Sequence, residues 1–185
     1  MTSILLPVAF LALVECSCAI QPLILKVCNS TKLGIPADIV AQRGAALAYG
    51  NEYRRRHGAK PLTVDLALEE EAQKRAEYMA STGSFISSIW DTDNIARIPC
   101  DSEIPQMYPT EPTIPGAIFR WNYQTKRFRC SYPIFTRTVW KATEKVGYGA
   151  AVASDGHIIV VAVYSPPASG DPAAMLENVQ CEEVP

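Results

Sequence analysis

The sequence predicts an α+β domain in which helices pack on an antiparallel sheet. Apolar residues recur at helical spacing through the first two thirds of the chain, and two strand-like runs close it around Ser154-Asp155-Gly156. Helices first and strands last is the order of that class. At 185 residues, 48% of them hydrophobic, the chain suits one globular core, assigned to 20–185.

The N-terminus, MTSILLPVAFLALVECSCA, carries an apolar run from Ile4 to Val14 and small residues at Ser17 and Ala19. That is the pattern of a signal peptide, residues 1–19, cleaved after Ala19. The run is too short to span a membrane, and no later segment resembles a transmembrane segment. The mature protein is then expected outside the cell. Removal of Glu15 leaves 17 basic against 18 acidic side chains, so neither nucleic acid nor an anionic membrane is an indicated partner.

Cleavage also leaves Cys28, Cys100, Cys130 and Cys181, an even set in an oxidising compartment. Of the three possible pairings, Cys28–Cys181 would tie the two ends and Cys100–Cys130 would close the middle of the chain. Zinc ligation competes poorly, because these cysteines are far apart in sequence and no histidine neighbours them. No cofactor is implied. Asn29-Ser30-Thr31 is a glycosylation sequon, with Asn29 as acceptor.

A first helix is expected over 36–57, ended by HGAKP. Asp65 caps a second, in which Leu68, Ala72, Ala76 and Met79 share one face while Glu70–Lys74 and Glu71–Arg75 pair on the other, and Gly83 ends it. Residues 97–116 hold five prolines and read as an irregular loop. A third helix follows over 117–127, burying Ile118 and Trp121. The runs VGYGAAVA and HIIVVAVY then form a hairpin.

Six segments, NEYRRRHGAKPL (51–62), EEAQKRAEYMAS (70–81), DNIA (93–96), FRWNYQ (119–124), FTRTVWKATEKVGYGAAVASDG (135–156) and VVAVYSPPAS (160–169), occur in an order that resembles the CAP superfamily. This group unites cysteine-rich secretory proteins, antigen 5 and pathogenesis-related 1 proteins. The likeness covers about 37–179 and is greatest to the venom-allergen-like proteins of parasitic worms. It implies a three-layer α-β-α sandwich with a central antiparallel sheet and a cleft. In many members two histidines and two acids line that cleft and hold a divalent metal.

Carried over by motif, those four positions fall on Ser87, Asp93, Gln124 and Ile134. Isoleucine cannot ligate, and serine and glutamine are poor substitutes, so the cleft is expected to be degenerate, with no metal and no catalytic residue. His57 and His157 match neither histidine position. His57 is expected at a helix C-terminus, and His157 beside the hairpin turn. Ser87 or Ser88 as nucleophile would lack a base.

The resemblance also implies two lipid sites: a sterol site at a mobile loop, for which Ile98, Ile104, Met107 and Tyr108 are candidates, and a fatty-acid channel between helices, for which Val40, Gly44, Leu47, Ala48 and Ile118 are candidates. The expected function is a secreted, non-enzymatic protein that binds or transports a sterol or fatty acid. A module that engages extracellular or host proteins without a lipid is the alternative, and a degenerate hydrolase the third.

Overall fold

A computed structural model of the chain describes residues 38–85, 93–99, 113–123 and 133–180. The described elements are α1 (Ile39–Arg56), β1 (Thr63–Val64), α2 (Leu66–Thr82), β2 (Asp93–Pro99), α3 (Ile114–Tyr123), α4 (Pro133–Val139), β3 (Lys145–Val152), β4 (His157–Ser165) and α5 (Pro172–Asn178). The strands form one sheet in the order β1-β3-β4-β2. All pairings are antiparallel except β1 with β3, a two-residue parallel contact outside the expected hairpin pattern.

β4 lies between β3 and β2 and is buried from Ile158 to Tyr164, which is why HIIVVAVY is an unbroken apolar run rather than an alternating one. Its even positions, Ile158, Val160, Ala162 and Tyr164, enter the larger core with Ile114, Ala117, Ile118 and Trp121 of α3. Ile159, Val161 and Val163 enter a smaller core against Ala72, Ala76 and Met79 of α2. Helices on both faces of the sheet make the three-layer sandwich.

The second helix is punctuated as its sequence requires. Asp65 accepts from the backbone N–H groups of Ala67 (3.0 Å) and Leu68 (3.3 Å), and Gly83 closes the helix at φ 68°. Lys145 Nζ lies 3.0 Å from Asp65 Oδ2, and this ion pair, with the cap bonds, holds the Asp65 carboxyl below the ordinary aspartate value. The α2 backbone rests directly on Gly147 and Gly149 of β3. A Cβ on Gly147 would fall 2.1 Å from Leu68 C, and one on Gly149 would fall 2.4 Å from Ala72 C. Tyr148, between them, points the other way and is buried in the larger core.

Because β1 is only two residues long, β3 outruns it, and side chains take over the exposed rim. Arg43 Nε of α1 donates to Tyr148 O at 2.7 Å. Gln73 of α2 donates to Ala150 O (2.9 Å) and accepts from Ala150 N (3.2 Å), imitating a neighbouring strand. Arg43 also donates to Gln73 Oε1 at 3.2 Å.

The sequence-derived elements need three corrections. Part of the stretch 97–116, expected as an irregular loop, is regular: Arg97 to Pro99 extend β2 along its full pairing with β4, and α3 begins at Ile114 rather than 117. The seven-residue α4 and α5 carry too little periodic sequence to be legible. Arg75 keeps its expected pair with Glu71 at 3.9 Å but also reaches off the solvated face of α2 to Asp93, at 2.9 Å. The cysteines, Asn29 and residues 1–37 lie outside the described residues.

Candidate functional site

Where β2 begins, at the edge of the sheet, Asp93 stands opposite Val163 of β4 with its side chain 1% exposed. Arg75 Nη1, reaching over from α2, lies 2.9 Å from Asp93 Oδ2, against 3.9 Å from Glu71 Oε1. The buried carboxylate captures the guanidinium because a charge removed from water gains more from a partner than one that keeps its hydration. The acid is therefore already neutralised by an internal cation.

The next residue, Asn94, is fully buried and stitches β2 to α4. Its Nδ2 donates to Ile134 O at 2.8 Å and lies 3.3 Å from Thr138 Oγ1 and 3.4 Å from Tyr164 Oη. Arg137, 7% exposed, turns inward from α4 and donates through Nη1 to Asp93 O at 3.0 Å and to Asn94 Oδ1 at 3.4 Å. The sequence pattern pairs Arg75 with Glu71 and assigns no role to Asn94 or Arg137. Polar residues directly beside an apolar strand and helix were the available signal. Burial raises the pKa of Tyr164, whose hydroxyl stays neutral in this network.

These bonds fix the start of α4 and with it Ile134, whose side chain packs partly buried against the larger core. Ile134 lines a cleft of about 210 Å³ together with Phe85, Ile95, Ala96, Arg97, Arg120 and Trp121. Ile95 and Arg97 come from β2, Arg120 and Trp121 from α3, and Phe85 from the segment after α2. Arg97 forms an ion pair with Asp155 in the hairpin turn, and that arginine holds the Asp155 carboxyl below the ordinary aspartate value.

Of the four positions carried over as a metal set, Asp93 and Ile134 lie in this region, and Ser87 and Gln124 lie outside the described residues. The two that are visible do not fit a metal: one carboxylate is taken by Arg75, and an alkyl group stands where an imidazole would be. Among the described residues no three of histidine, cysteine, aspartate and glutamate come together as a metal-holding group. Zinc or magnesium at up to about 1 mM is expected to leave the melting temperature unchanged, as checked by differential scanning fluorimetry. Ile134→His is expected not to change that result, because one imidazole cannot hold the ion without its partner ligands.

The lipid-site candidates separate. Ile98 does not face a loop cavity; it is 1% exposed, opposite Ile158, within the larger core. Ile104, Met107 and Tyr108 lie outside the described residues. On α1, Leu47 joins Ile118 at the larger core, but Val40 is 76% exposed, Ala48 is exposed, and Gly44 has open space around it. Positions two apart on a helix differ by about 200°, so the 40-44-48 stripe faces away from the buried Gln42, Ala46 and Gly50. It is Gln42, accepting from Ile114 N at 3.0 Å, that meets α3. These five residues do not line one channel.

His57 is the C-cap of α1, as expected, but it is buried: Nδ1 lies 2.6 Å from Gln180 O, and its ring meets Phe135 edge-on at 4.8 Å. It anchors the C-terminal segment. His157 bonds Asp155 Oδ1 through Nδ1 at 3.0 Å, with its side chain 26% exposed.

Residues 47–164 match the model of the CAP family, the cysteine-rich secretory protein family. The human Golgi-associated plant pathogenesis-related protein 1 is 36% identical over 124 residues, which span 63% of this chain and 77% of that protein. Hookworm platelet inhibitor shares the fold with a TM-score of 0.54 at 22% identity, covering 71% of this chain and 72% of that one. The venom allergen-like protein 4 of Schistosoma mansoni does so with a TM-score of 0.51 at 20% identity, covering 70% and 91%.

Proposed function

The chain belongs to the CAP family of cysteine-rich secretory proteins, and from that premise we propose that it is a secreted, non-enzymatic member that binds a lipid, a sterol or a fatty acid, with the metal-binding chemistry of its cleft lost. One observation carries the proposal: where the family resemblance calls for a metal-ligating imidazole, Ile134 and its neighbours Trp121, Ile95 and Phe85 supply the apolar part of an open cleft whose polar part includes Arg97 and Arg120. Concave apolar surface with a few polar groups at its mouth is the usual form of a small-molecule site.

The state of Asp93 supports the non-enzymatic part. A general base must be free to take a proton, whereas this carboxylate is buried against Arg75. Among the described residues no helix is long and apolar enough to cross a membrane.

Native mass spectrometry of the protein secreted from eukaryotic cells, followed by solvent extraction, tests the proposal. A stoichiometric sterol or fatty acid is expected, and cholesterol or palmitate added to stripped protein at 100 times its Kd is expected to stabilise the fold by about 2.7 kcal/mol. Lipid-free protein that takes up neither would overturn lipid binding and favour a module that engages extracellular or host proteins.

A further inference from the structure

The geometry points to a specific occupant for the cleft at the β2 edge: the anionic head and proximal carbons of an amphiphile, with Arg120 receiving the carboxylate. This rests on the lipid-binding proposal above and narrows it to an acid.

The lining carries charge of one sign. Phe85, Ile95, Trp121 and Ile134 supply apolar wall, and the charged side chains among the described lining are both arginines, Arg97 and Arg120. They are not equivalent. Arg97 is held by Asp155 at the hairpin turn, so its charge is largely compensated. Arg120, exposed in the last turn of α3, has no ion pair among the described residues. A planar guanidinium in the lining of a partly apolar cleft matches a carboxylate through two parallel N–H···O bonds and matches a neutral hydroxyl much less well.

Size sets the rest of the ligand. At about 210 Å³ the cleft exceeds the ~150 Å³ apolar cavity that accepts benzene and falls short of the ~300 Å³ at which drug-sized sites begin. One ring or a short alkyl segment fits beside the head group. A sterol nucleus does not, and the remainder of a long acyl chain would extend beyond the cleft.

The test is isothermal titration of the full secreted protein with octanoate and with 1-octanol, equal in chain length and different in head charge, alongside palmitate and cholesterol. Octanoate is expected to bind at least about tenfold more tightly than octanol and to shift the tryptophan emission through Trp121, which is 3% exposed in the cleft wall. Arg120→Gln is expected to weaken octanoate about tenfold or more while leaving octanol and the melting temperature unchanged. Equal affinity for the two probes, or an Arg120→Gln protein that binds octanoate normally, would overturn the head-group assignment and leave lipid binding standing. Palmitate or cholesterol binding without octanoate binding would overturn the cleft as the site. Failure of all four probes would overturn both this assignment and the lipid proposal.

Discussion

Arg54→Met is expected to lower the melting temperature by more than about 8 °C, and Arg54→Lys to recover little of the loss. Arg54 is fully buried at the end of α1, and its donors are answered entirely by backbone: Nε by Lys60 O (2.6 Å), Nη1 by Thr138 O and Trp140 O (both 2.9 Å), and Nη2 by Thr143 O (2.8 Å). Three of these carbonyls belong to the end of α4 and the connection into β3; Trp140 O also accepts from Thr143 N at 3.1 Å, whereas Thr138 O and Thr143 O depend on the guanidinium. Removing the guanidinium orphans two buried acceptors at about 1–3 kcal/mol each, so a loss of about 4 kcal/mol is expected. For a chain of this size each kcal/mol corresponds to roughly 2–4 °C. A lysine presents a point charge and cannot span a fork of four carbonyls. A calorimetric melt of both variants decides it, and near-native stability of Arg54→Met would refute the role.

Gly149→Ala and Gly147→Ala are each expected to cost at least about 3 kcal/mol, beyond the usual range for an inserted methyl group, because the collision is with helix backbone and not with a side chain that can turn away. Gly44→Ala provides the opposite sign. Nothing lies within 4 Å of its added methyl, and alanine in an exposed helix interior is expected to stabilise by up to about 1 kcal/mol. Urea denaturation of the three variants reads both signs at once. Equal effects at Gly44 and Gly149 would mean that α2 does not rest on β3 as described.

Alkaline pH acts through groups in the same core. Burial lowers the Arg54 pKa to about 10, so the folded state gives up that proton before the unfolded chain does, and this group alone would make stability rise with pH above 10. Tyr148 and Tyr164 run the other way. Burial raises both above their ordinary value of 10, so the unfolded chain loses their protons first, and stability falls as pH rises through 10. The two tyrosines and the arginine thus act in opposite directions above pH 10.

The elements legible in the sequence were those with local causes. Asp65 and Gly83 bracket α2 because a cap and a left-handed stop are written in single residues, and the hairpin follows from Ser154-Asp155-Gly156 between apolar runs. β2 was legible as a family motif but not as a strand, since Asp93, Asn94 and Pro99 are poor strand formers and the strand exists through its pairing with β4. That Ile134 cannot ligate a metal was legible, because an alkyl side chain carries the same meaning in any environment. The fate of Asp93 was not. Arg75 has Glu71 one turn away on its own helix, and only the three-dimensional placement of a buried carboxylate reveals which acid wins. The acyl-channel residues on α1 failed for a related reason: small residues mark a close approach only when they face a neighbour, and helical phase relative to α3 is fixed by Gln42.

The rim of β3 has a consequence for how the domain opens. Arg43 comes from the helical layer on one face of the sheet and Gln73 from the layer on the other, and they bond to each other as well as to the strand between them. The two outer layers are thus laced together around the sheet margin. A fluctuation that lifts α1 withdraws one of Gln73's partners and bares the margin at the same moment, so backbone amides of α1, α2 and β3 belong to one cooperative unit for hydrogen exchange and not to three. While the lacing holds, no strand of a second molecule can add at that margin.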